Sequence, residues 1–267
     1  MSYSRHRGIS KPLPGCFVDW AHPLSLSLAG YWLLNEGGGT LLNDAAKQSD
    51  MVLENAAGSN PTWIGSPNGG ALSLLETNKG YAKSTSSTIR SISLPFSVVT
   101  RLLRGSSVSD VVNILSHDSG INDGWRISAF GPGFGDALYL TFGGVGDYNL
   151  TTGIPRDSWV NLALCCNLSV VTGYVDSTVS SVAVGSMVGA PNRLTLGSGF
   201  FNQYWDGGIA YASVYRRELS RSEVSSLFDN PFSYILSPSY RRYFIPAAGG
   251  GLSIPVAMHY RRMMGRN

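Results

Sequence analysis

Charged side chains, cysteines and long apolar runs are all scarce in this chain of 267 residues. Charged residues make up 14% of it while glycine occurs 32 times, a composition typical of turns and short strands. This argues against a helical bundle. No window approaches the roughly 20 apolar residues that cross a bilayer. Arg5, Arg7 and Lys11 are followed by no uninterrupted apolar stretch of the secretory kind. We therefore expect a soluble chain with no signal peptide and no membrane partner.

The cysteines form an odd and sparse set, Cys16, Cys165 and Cys166. Two adjacent residues of a strand point to opposite faces, so the pair cannot share one environment. We expect three reduced, buried thiols that behave as small hydrophobic side chains.

Residue patterns that carry catalysis are also missing. Retaining glycosidases place two carboxyl groups about 5 to 5.5 Å apart, in sandwich folds on a Glu-x-Asp-x-x-Glu strand. None of the five glutamates has such neighbours, and the four histidines have no zinc-site spacing. No metalloprotease, nucleophile-elbow, P-loop or Cys-x-x-Cys motif occurs. We predict a protein that is not an enzyme and has no cofactor, with a degenerate glycosidase as an open alternative.

Short apolar runs between Gly, Asn, Asp and Ser clusters predict the fold. Ten such runs follow one another from Leu28 to Tyr215, as in a sandwich or barrel. In the run 159–164, Val160, Leu162 and Leu164 share one side, whereas Trp159, Asn161 and Ala163 share the other.

One helix is predicted near the C-terminal end. Ser220 and Glu223 form a capping box, and Val224, Leu227 and Phe228 then fall on one face. Asn230-Pro231 ends the helix, because proline disfavours helical geometry in the residue before it.

The chain divides into three segments by composition. Residues 1–27 are rich in proline, basic residues and isolated aromatics and predict an N-terminal arm. Residues 28–230 predict the domain, and 231–267 a C-terminal extension with a flexible Gly249–Gly251 joint. The predicted fold is all-β, a two-sheet antiparallel sandwich with one short helix and extended arms at both ends.

Several motifs resemble the laminin G-like (concanavalin A-like) jelly-roll family over residues 28–230. They are Tyr31-Trp32 with Glu36 and a glycine run, Asp44 opening a small-residue turn, the Trp159 strand, the hairpin Gly173–Asp176, and Trp205 with the strand and helix start behind it. The resemblance implies a two-sheet jelly roll with Trp32 and Trp159 in its core.

The sequence departs from that family around its calcium site. The turn after Asp44 reads Ala-Ala-Lys-Gln-Ser, and no loop supplies an obvious set of oxygen ligands. The nearest candidates are Asp118, Asn122 and Asp123, for which a solvated hairpin loop is the competing interpretation. Calcium binding stays open at this point.

Two segments combine aromatics with amides in a way that suits a sugar. Sugars stack on aromatic rings while their hydroxyl groups need polar partners. Gly146–Asn149 and Phe200–Trp205 have this mixture, and the candidate ligand-binding residues are Tyr148, Asn149, Phe201, Asn202 and Tyr204. Alternatively, these aromatics fold inward over the sandwich, which we expect for Trp205.

The C-terminal extension combines arginine with aromatics and methionine, a composition typical of protein interfaces. The candidate docking residues are Arg241, Arg242, Tyr243, Phe244, Met258, Tyr260, Arg261 and Arg262. Arginine clusters also bind nucleic acid, but the interleaved aromatics favour a protein partner.

The opening Trp32–Gly39 and the Asn230–Phe232 segment are similar to laminin G-like proteins of tailed phages. The resemblance implies a virion structural protein that contacts a capsid or other virion protein, forms a homo-oligomer, and displays a face for a cell-surface glycan. A dedicated carbohydrate-binding lectin is the alternative.

Overall fold

A computed structural model describes residues 3–5, 10–12, 15–55, 61–85, 89, 92–105, 111–117, 122–132, 136–187, 193–199 and 203–238. In chain order its strands are β1 (Tyr3–Arg5), β2 (Phe17–Val18), β3 (Leu28–Trp32), β4 (Leu41–Leu42), β5 (Met51–Asn55), β6 (Thr62–Ser66), β7 (Gly69–Leu74), β8 (Gly80–Ser84), β9 (Phe96–Arg104), β10 (Val111–His117), β11 (Trp125–Phe130), β12 (Ala137–Phe142), β13 (Gly146–Gly153), β14 (Trp159–Cys166), β15 (Val170–Val175), β16 (Thr178–Ala183), β17 (Thr195–Leu196), β18 (Gly207–Tyr215) and β19 (Ile235–Pro238). The helix α1 spans Arg221–Asp229, and two 3-10 turns span Pro23–Ser25 and Glu76–Asn78.

These strands form two large antiparallel sheets and a small third one. The front sheet has the order β13-β12-β11-β10-β17-β8-β5-β4, and the back sheet has the order β16-β15-β14-β9-β18-β7-β6 with β3 also on β18. The flank sheet has the order β1-β19-β2. The chain is therefore an all-β, jelly-roll type sandwich with one helix near its C-terminal end, as the sequence predicts.

The main core fills the space between the front and back sheets. Leu138 and Leu140 of β12 face Val160, Leu162 and Leu164 of β14 within one buried cluster. The alternation predicted for β14 is confirmed, because Ala163 lies in a second cluster behind the back sheet. Cys165 and Cys166 likewise lie in the second and the first cluster, and both are buried free thiols.

The buried tryptophans are only partly those expected. Trp32 and Trp205 are fully buried in the main core. Trp159, expected beside Trp32, is half-buried and packs on the outer side of the back sheet. Its position in β14 directs it outward, and Gly208 leaves room for the ring there, since a methyl group at Gly208 would lie 2.7 Å from it.

The outer side of the back sheet is covered by segments from both ends of the chain. Val18 and Leu24 from the N-terminal side and Phe232, Tyr234 and Ile235 from the C-terminal side are buried there with the helix. Residues 15–27 and 231–238, expected in extended arms, therefore pack on the sandwich of their own chain. The sequence shows no period here because β2 and β19 are only two and four residues long.

Helix α1 begins and ends where the sequence predicts. Ser220 Oγ accepts a hydrogen bond from Glu223 N, and Glu223 Oε2 accepts one from Ser220 N at 2.9 Å. Val224 and Leu227 are buried and Phe228 is half-buried. The helix ends at Asp229, before Asn230-Pro231. Among helices in the described part of the chain, none has the length and apolar character needed to span a bilayer.

Asp44 organises the turn that follows it, which is one of the motifs that resemble the jelly-roll family. Its buried carboxylate accepts four backbone N–H groups, those of Tyr31, Ala46, Gln48 and Ser49, at 2.7 to 2.9 Å. These contacts tie the turn to β3. Both oxygens of this carboxylate therefore accept hydrogen bonds from backbone amides and stabilise the turn.

Candidate functional site

The outer face of the front sheet differs chemically from that of the back sheet. Because Trp125, Ile127 and Ala129 of β11 point into the main core, Arg126, Ser128 and Phe130 point outward. The same alternation directs Tyr139 and Thr141 of β12 outward. This face therefore presents mainly polar and aromatic side chains, whereas helix and terminal segments cover the opposite side of the molecule.

The centre of the face is a closed polar layer. Ser128 Oγ donates to Asn113 Oδ1 at 2.6 Å, and Asn113 Nδ2 donates to Gln203 Oε1 at 3.1 Å. Ser116 Oγ donates to the carbonyl of Ser198 at 2.8 Å. Asn113, Ser116 and Ser128 are buried, so these contacts hold Ser198 and Gln203 onto the sheet and offer little to a ligand.

Beside this layer, five outward side chains of β11, β12 and β13 form what we call the aromatic strip: Phe130, Tyr139, Thr141, Asp147 and Asn149. The Phe130 and Tyr139 ring centroids are 4.0 Å apart. Asn149 Nδ2 donates to Tyr139 Oη at 2.9 Å, and Thr141 Oγ1 donates to Asp147 Oδ1 at 2.5 Å. Asn149 and Asp147 are exposed, and the other three are half-buried.

The aromatic strip offers two rings next to a row of hydrogen-bonding groups. Its Tyr139 hydroxyl accepts from Asn149 and keeps its own proton for donation. The carboxylate of Asp147 keeps acceptor capacity on its second oxygen. An apolar ring face beside fixed donors and acceptors is what recognition of a sugar requires.

The strip contains one of the predicted ligand residues and excludes another. Asn149 lies in it, whereas Tyr148 points toward the main core, with its ring 5.5 Å from that of Phe142 and its hydroxyl accepting from Gly185 N at 2.8 Å. Residues 146–149, which the sequence groups by composition, belong to strand β13, and its alternation separates the two side chains.

The second predicted ligand segment is less accessible than expected. Tyr204 is only 5% exposed, and its ring centroid lies 6.1 Å from that of Tyr81 on β8. Tyr81 Oη donates to Glu54 Oε2 at 2.5 Å. Trp205 is in the core, as expected. Phe201 and Asn202 lie outside the described residues.

The calcium candidates are not assembled into a site in the described part of the chain. Asn122 is exposed and Asp123 half-buried in the loop before β11, and Asp118 lies outside the described residues. No cluster of three His, Cys, Asp or Glu side chains occurs among the residues that the structure describes. Gly143 packs directly on the backbone of Asp123, where a larger residue would overlap it.

The glutamates of the described residues contact polar partners close to them. Glu54 accepts from Tyr81, Glu36 from Asn43, Glu218 from Asn167 and Glu223 from Arg217. These hydrogen bonds stabilise turns, a helix cap and the surfaces of strands. The docking residues predicted in 241–262 lie outside the described residues.

Sequence reasoning missed Phe130, Tyr139, Thr141 and Asp147. A signal for two of them was present, because the run 137–142 alternates Leu138, Leu140 and Phe142 with Tyr139 and Thr141. A tyrosine on the polar side of an alternating strand is an aromatic on the solvent face. The pairing of Asp147 with Thr141 depends on the register between β12 and β13, which the sequence does not show.

Comparisons with known proteins find similarity in fold. No family model and no curated protein matches the chain.

Solved structures with a similar fold include domain 4 of AbnA, a GH43 extracellular arabinanase from Geobacillus stearothermophilus, in complex with arabinotriose. The TM-score is 0.60 and the identity is 16%, over 76% of this chain and 98% of that one. The binding domain of botulinum neurotoxin DC in complex with SialylT has a TM-score of 0.58 and 12% identity over 77% of this chain. Trypanosoma rangeli sialidase has a TM-score of 0.56 and 16% identity over 76% of this chain. The chain spans 52% of the toxin structure and 32% of the sialidase.

Proposed function

We propose that this protein is a non-catalytic glycan-binding module whose aromatic strip contacts the sugar. The observation that carries the proposal is the set of contacts around Tyr139. The centroid of its ring lies 4.0 Å from that of Phe130, and its hydroxyl accepts a hydrogen bond from Asn149. The Thr141–Asp147 pair occupies the next outward-facing positions of the same two strands, β12 and β13. A sugar ring stacked on Tyr139 has both donors and acceptors within reach.

The structural neighbours support this proposal at the level of fold. One is a domain seen in complex with arabinotriose, and another is a toxin binding domain seen in complex with SialylT. Both use the kind of sandwich found here. Identities of 16% and 12% carry no residue over, so the strip is argued from this chain's own contacts.

The test is a glycan array followed by calorimetric titration of the best oligosaccharide. We expect Tyr139→Ala to weaken binding at least tenfold, which corresponds to about 1.4 kcal/mol, because the variant loses the apolar area that the tyrosine ring buries against the sugar. Tyr81→Ala is the matched control, because it removes a tyrosine from β8 on the same face. Equal loss in both variants, or no glycan bound at all, would contradict the proposal.

A second proposal concerns how the module is held. β1 pairs with β19 so that Tyr3 lies opposite Pro238, and the flank sheet continues from the cluster behind the back sheet. Tyr3 and Pro238 therefore lie side by side, on the side of the molecule opposite the aromatic strip. Attachment through that side leaves the aromatic strip on the opposite face accessible to a glycan, as display on a larger particle requires.

The particle we propose is a virion, with the module decorating a capsid or forming part of a fibre. Support comes from the adjacent positions of Tyr3 and Pro238 and from the arginine and aromatic residues in the sequence of 241–262. Size-exclusion chromatography with light scattering of the full chain and of a variant ending at residue 238 tests it, together with co-sedimentation with virions. Loss of assembly in the shortened variant is expected, and a full chain that stays monomeric and unattached would contradict it.

A further inference from the structure

The four strands at the ends of the two large sheets differ in how their open edges are protected. These edge strands are β13 and β4 in the front sheet and β16 and β6 in the back sheet. β4 is only two residues long, Pro61 precedes β6, and β13 carries Asp147 and a register shift against β12. Short length, proline, charge and irregular register all hinder the pairing of an edge with another strand.

β16 has none of these protecting features. It is six residues long and pairs with β15 in one unbroken register. The sequence contains no charged residue between Asp176 and Arg193. Four of the six residues are exposed, among them Val179 at 41%. In the part of the chain that the structure describes, no strand pairs with the other side of β16. This edge is therefore open to a further strand.

Alternate residues of β16 direct their backbone N–H and C=O groups toward the open edge. Just beyond the strand, Val184 N donates to the carbonyl of Ser169 at 2.8 Å, so the even-numbered residues bond to β15. The backbone groups of Val179, Ser181 and Ala183 therefore point away from β15. They offer a regular row of donors and acceptors along the edge.

The open edge is complementary to itself. Because Val182 packs on the main core, the side chains of Val179, Ser181 and Ala183 lie on the outer side of the back sheet. In an antiparallel pair of β16 strands centred on Ser181, this serine lies opposite its counterpart, and Val179 lies opposite Ala183 of the second copy. Each opposed pair exchanges two backbone hydrogen bonds. The side chains are small and uncharged, so the two strands meet without like-charge repulsion.

We propose that two copies of this chain pair along β16 as antiparallel strands and form a dimer with one continuous back sheet. A second copy suits this edge better than an unrelated strand, because the edge matches itself in hydrogen bonding, in side-chain size and in its lack of charge. A two-fold dimer is also closed, so that neither β16 edge stays open.

The dimer places both aromatic strips on the same side. A two-fold axis perpendicular to the joined sheet keeps the two back sheets in one orientation, so the two front sheets also face one way. β13, which carries Asp147 and Asn149, lies beside β16 in the sandwich. The two strips are therefore close to the dimer axis. This consequence rests on the proposed glycan-binding function, since it brings two sugar sites to one glycan-bearing surface.

The dimer is measured by sedimentation equilibrium and by size-exclusion chromatography with light scattering on the full chain without sugar. Ser181→Lys places two ammonium groups opposite each other at the axis and should raise the dissociation constant of the dimer at least tenfold. Thr62→Lys is the matched control, because it adds a lysine at an exposed position of β6, the other edge of the same sheet. A chain that is monomeric at every concentration, or a dimer that Ser181→Lys weakens no more than Thr62→Lys does, overturns the inference.

Cysteine cross-linking tests the register of the pair. Opposed residues that exchange hydrogen bonds have Cα atoms about 5.5 Å apart, within the range of a disulfide. Ser181→Cys should therefore give a disulfide-linked dimer under mild oxidation. Val179→Cys should not, because the two copies of that residue lie roughly 13 Å apart along the strands. A dimer in which Ser181→Cys stays unlinked contradicts pairing through β16.

The outcomes separate this inference from the proposed function. The variant ending at residue 238 retains β16 and should remain a dimer while it loses the larger assembly proposed above. If it is monomeric, residues 239–267 make the contact and the inference is wrong. Ser181→Lys should bind a soluble oligosaccharide with the affinity of the parent protein and be retained less on a glycan-coated surface. A protein that binds no glycan overturns the proposed function and leaves the dimer standing. Thermal unfolding checks that each variant retains the fold.

Discussion

The phenol of Tyr31 donates a hydrogen bond of 2.9 Å to the carbonyl oxygen of Pro231, 200 residues further along the chain. Its ring also stacks on that of Tyr234 at 5.4 Å, and Tyr234 Oη lies 2.9 Å from Tyr215 Oη. These contacts join β3, β18 and the segment after the helix. The segment 231–238 is therefore part of the domain's packing.

Shortening the chain separates this packing from the rest of the C-terminal extension. A variant ending at residue 230 loses Phe232, Tyr234 and Ile235, which are fully buried, at about 1.5 to 3 kcal/mol each. We expect it to be far less stable to urea than a variant ending at residue 238, or not to fold. Equal unfolding midpoints for the two variants would show that 231–238 contributes nothing.

His117 makes the fold sensitive to acid. The side chain is fully buried against Trp125, its Nε2 lies 2.7 Å from the Ile89 carbonyl, and burial lowers its pKa from 6.5 to about 4. The unfolded chain takes up this proton at higher pH than the folded one. Stability is therefore fully present above pH 6.5 and is lost as pH falls through 4, by up to about 3 kcal/mol.

Urea unfolding at several pH values between 7 and 4 measures this loss. His117→Gln retains an N–H donor for the Ile89 carbonyl and removes the titrating group. We expect the variant to be less dependent on pH across this window than the parent protein. An unchanged pH dependence would assign the acid sensitivity to other groups.

The three thiols should be inert in the folded protein. Burial raises the pKa of Cys16 and Cys165 to about 11 and that of Cys166 to about 12. Since the thiolate is the reactive form, a thiol reagent at pH 8 should modify none of them on the timescale of minutes and all three after unfolding in urea. Rapid modification of native protein would show that a cysteine is accessible.

The start of helix α1 depends on Glu223. Its carboxylate binds Arg217 at 2.7 and 2.9 Å as well as the Ser220 amide, and these contacts lower its pKa to about 2. Glu223→Ala should cost about 1 to 2 kcal/mol in urea unfolding. Asp229→Ala is the control, because a carboxylate in the last turn opposes the helix dipole, and its loss should leave stability unchanged or slightly higher. A similar cost in both variants would contradict the capping role.

The parts of the fold that the sequence predicts are those with local signals. The alternation in β14 gave the correct buried side, and the Ser220–Glu223 pair gave the correct helix start. The placement of Trp159 between the sheets was wrong, because the alternation in β14 directs its ring to the outer side of the back sheet, where it packs beside Gly208. The residues that cover that outer side, 15–27 and 231–238, come from distant parts of the chain, and their packing there leaves no mark in the local sequence pattern.

The candidate site was only partly predictable for a related reason. Asn149 was singled out through the composition of 146–149, and Tyr148 was grouped with it because glycine, aspartate and asparagine there favour a turn. Pairing with β12 makes this segment a strand and separates the two side chains. The contacts of Arg104 and Arg156 with Asp136 likewise join β9, the start of β12 and the segment before β14, which no local spacing brings together.

A crystal structure of the protein with its best-bound oligosaccharide from the array tests the central claim most directly. We predict a sugar ring stacked on Tyr139 beside Phe130, with hydroxyl groups bonded to Asp147 or Asn149. A sugar seated on the back sheet's side of the molecule, or on the front sheet away from β11, β12 and β13, would contradict the account.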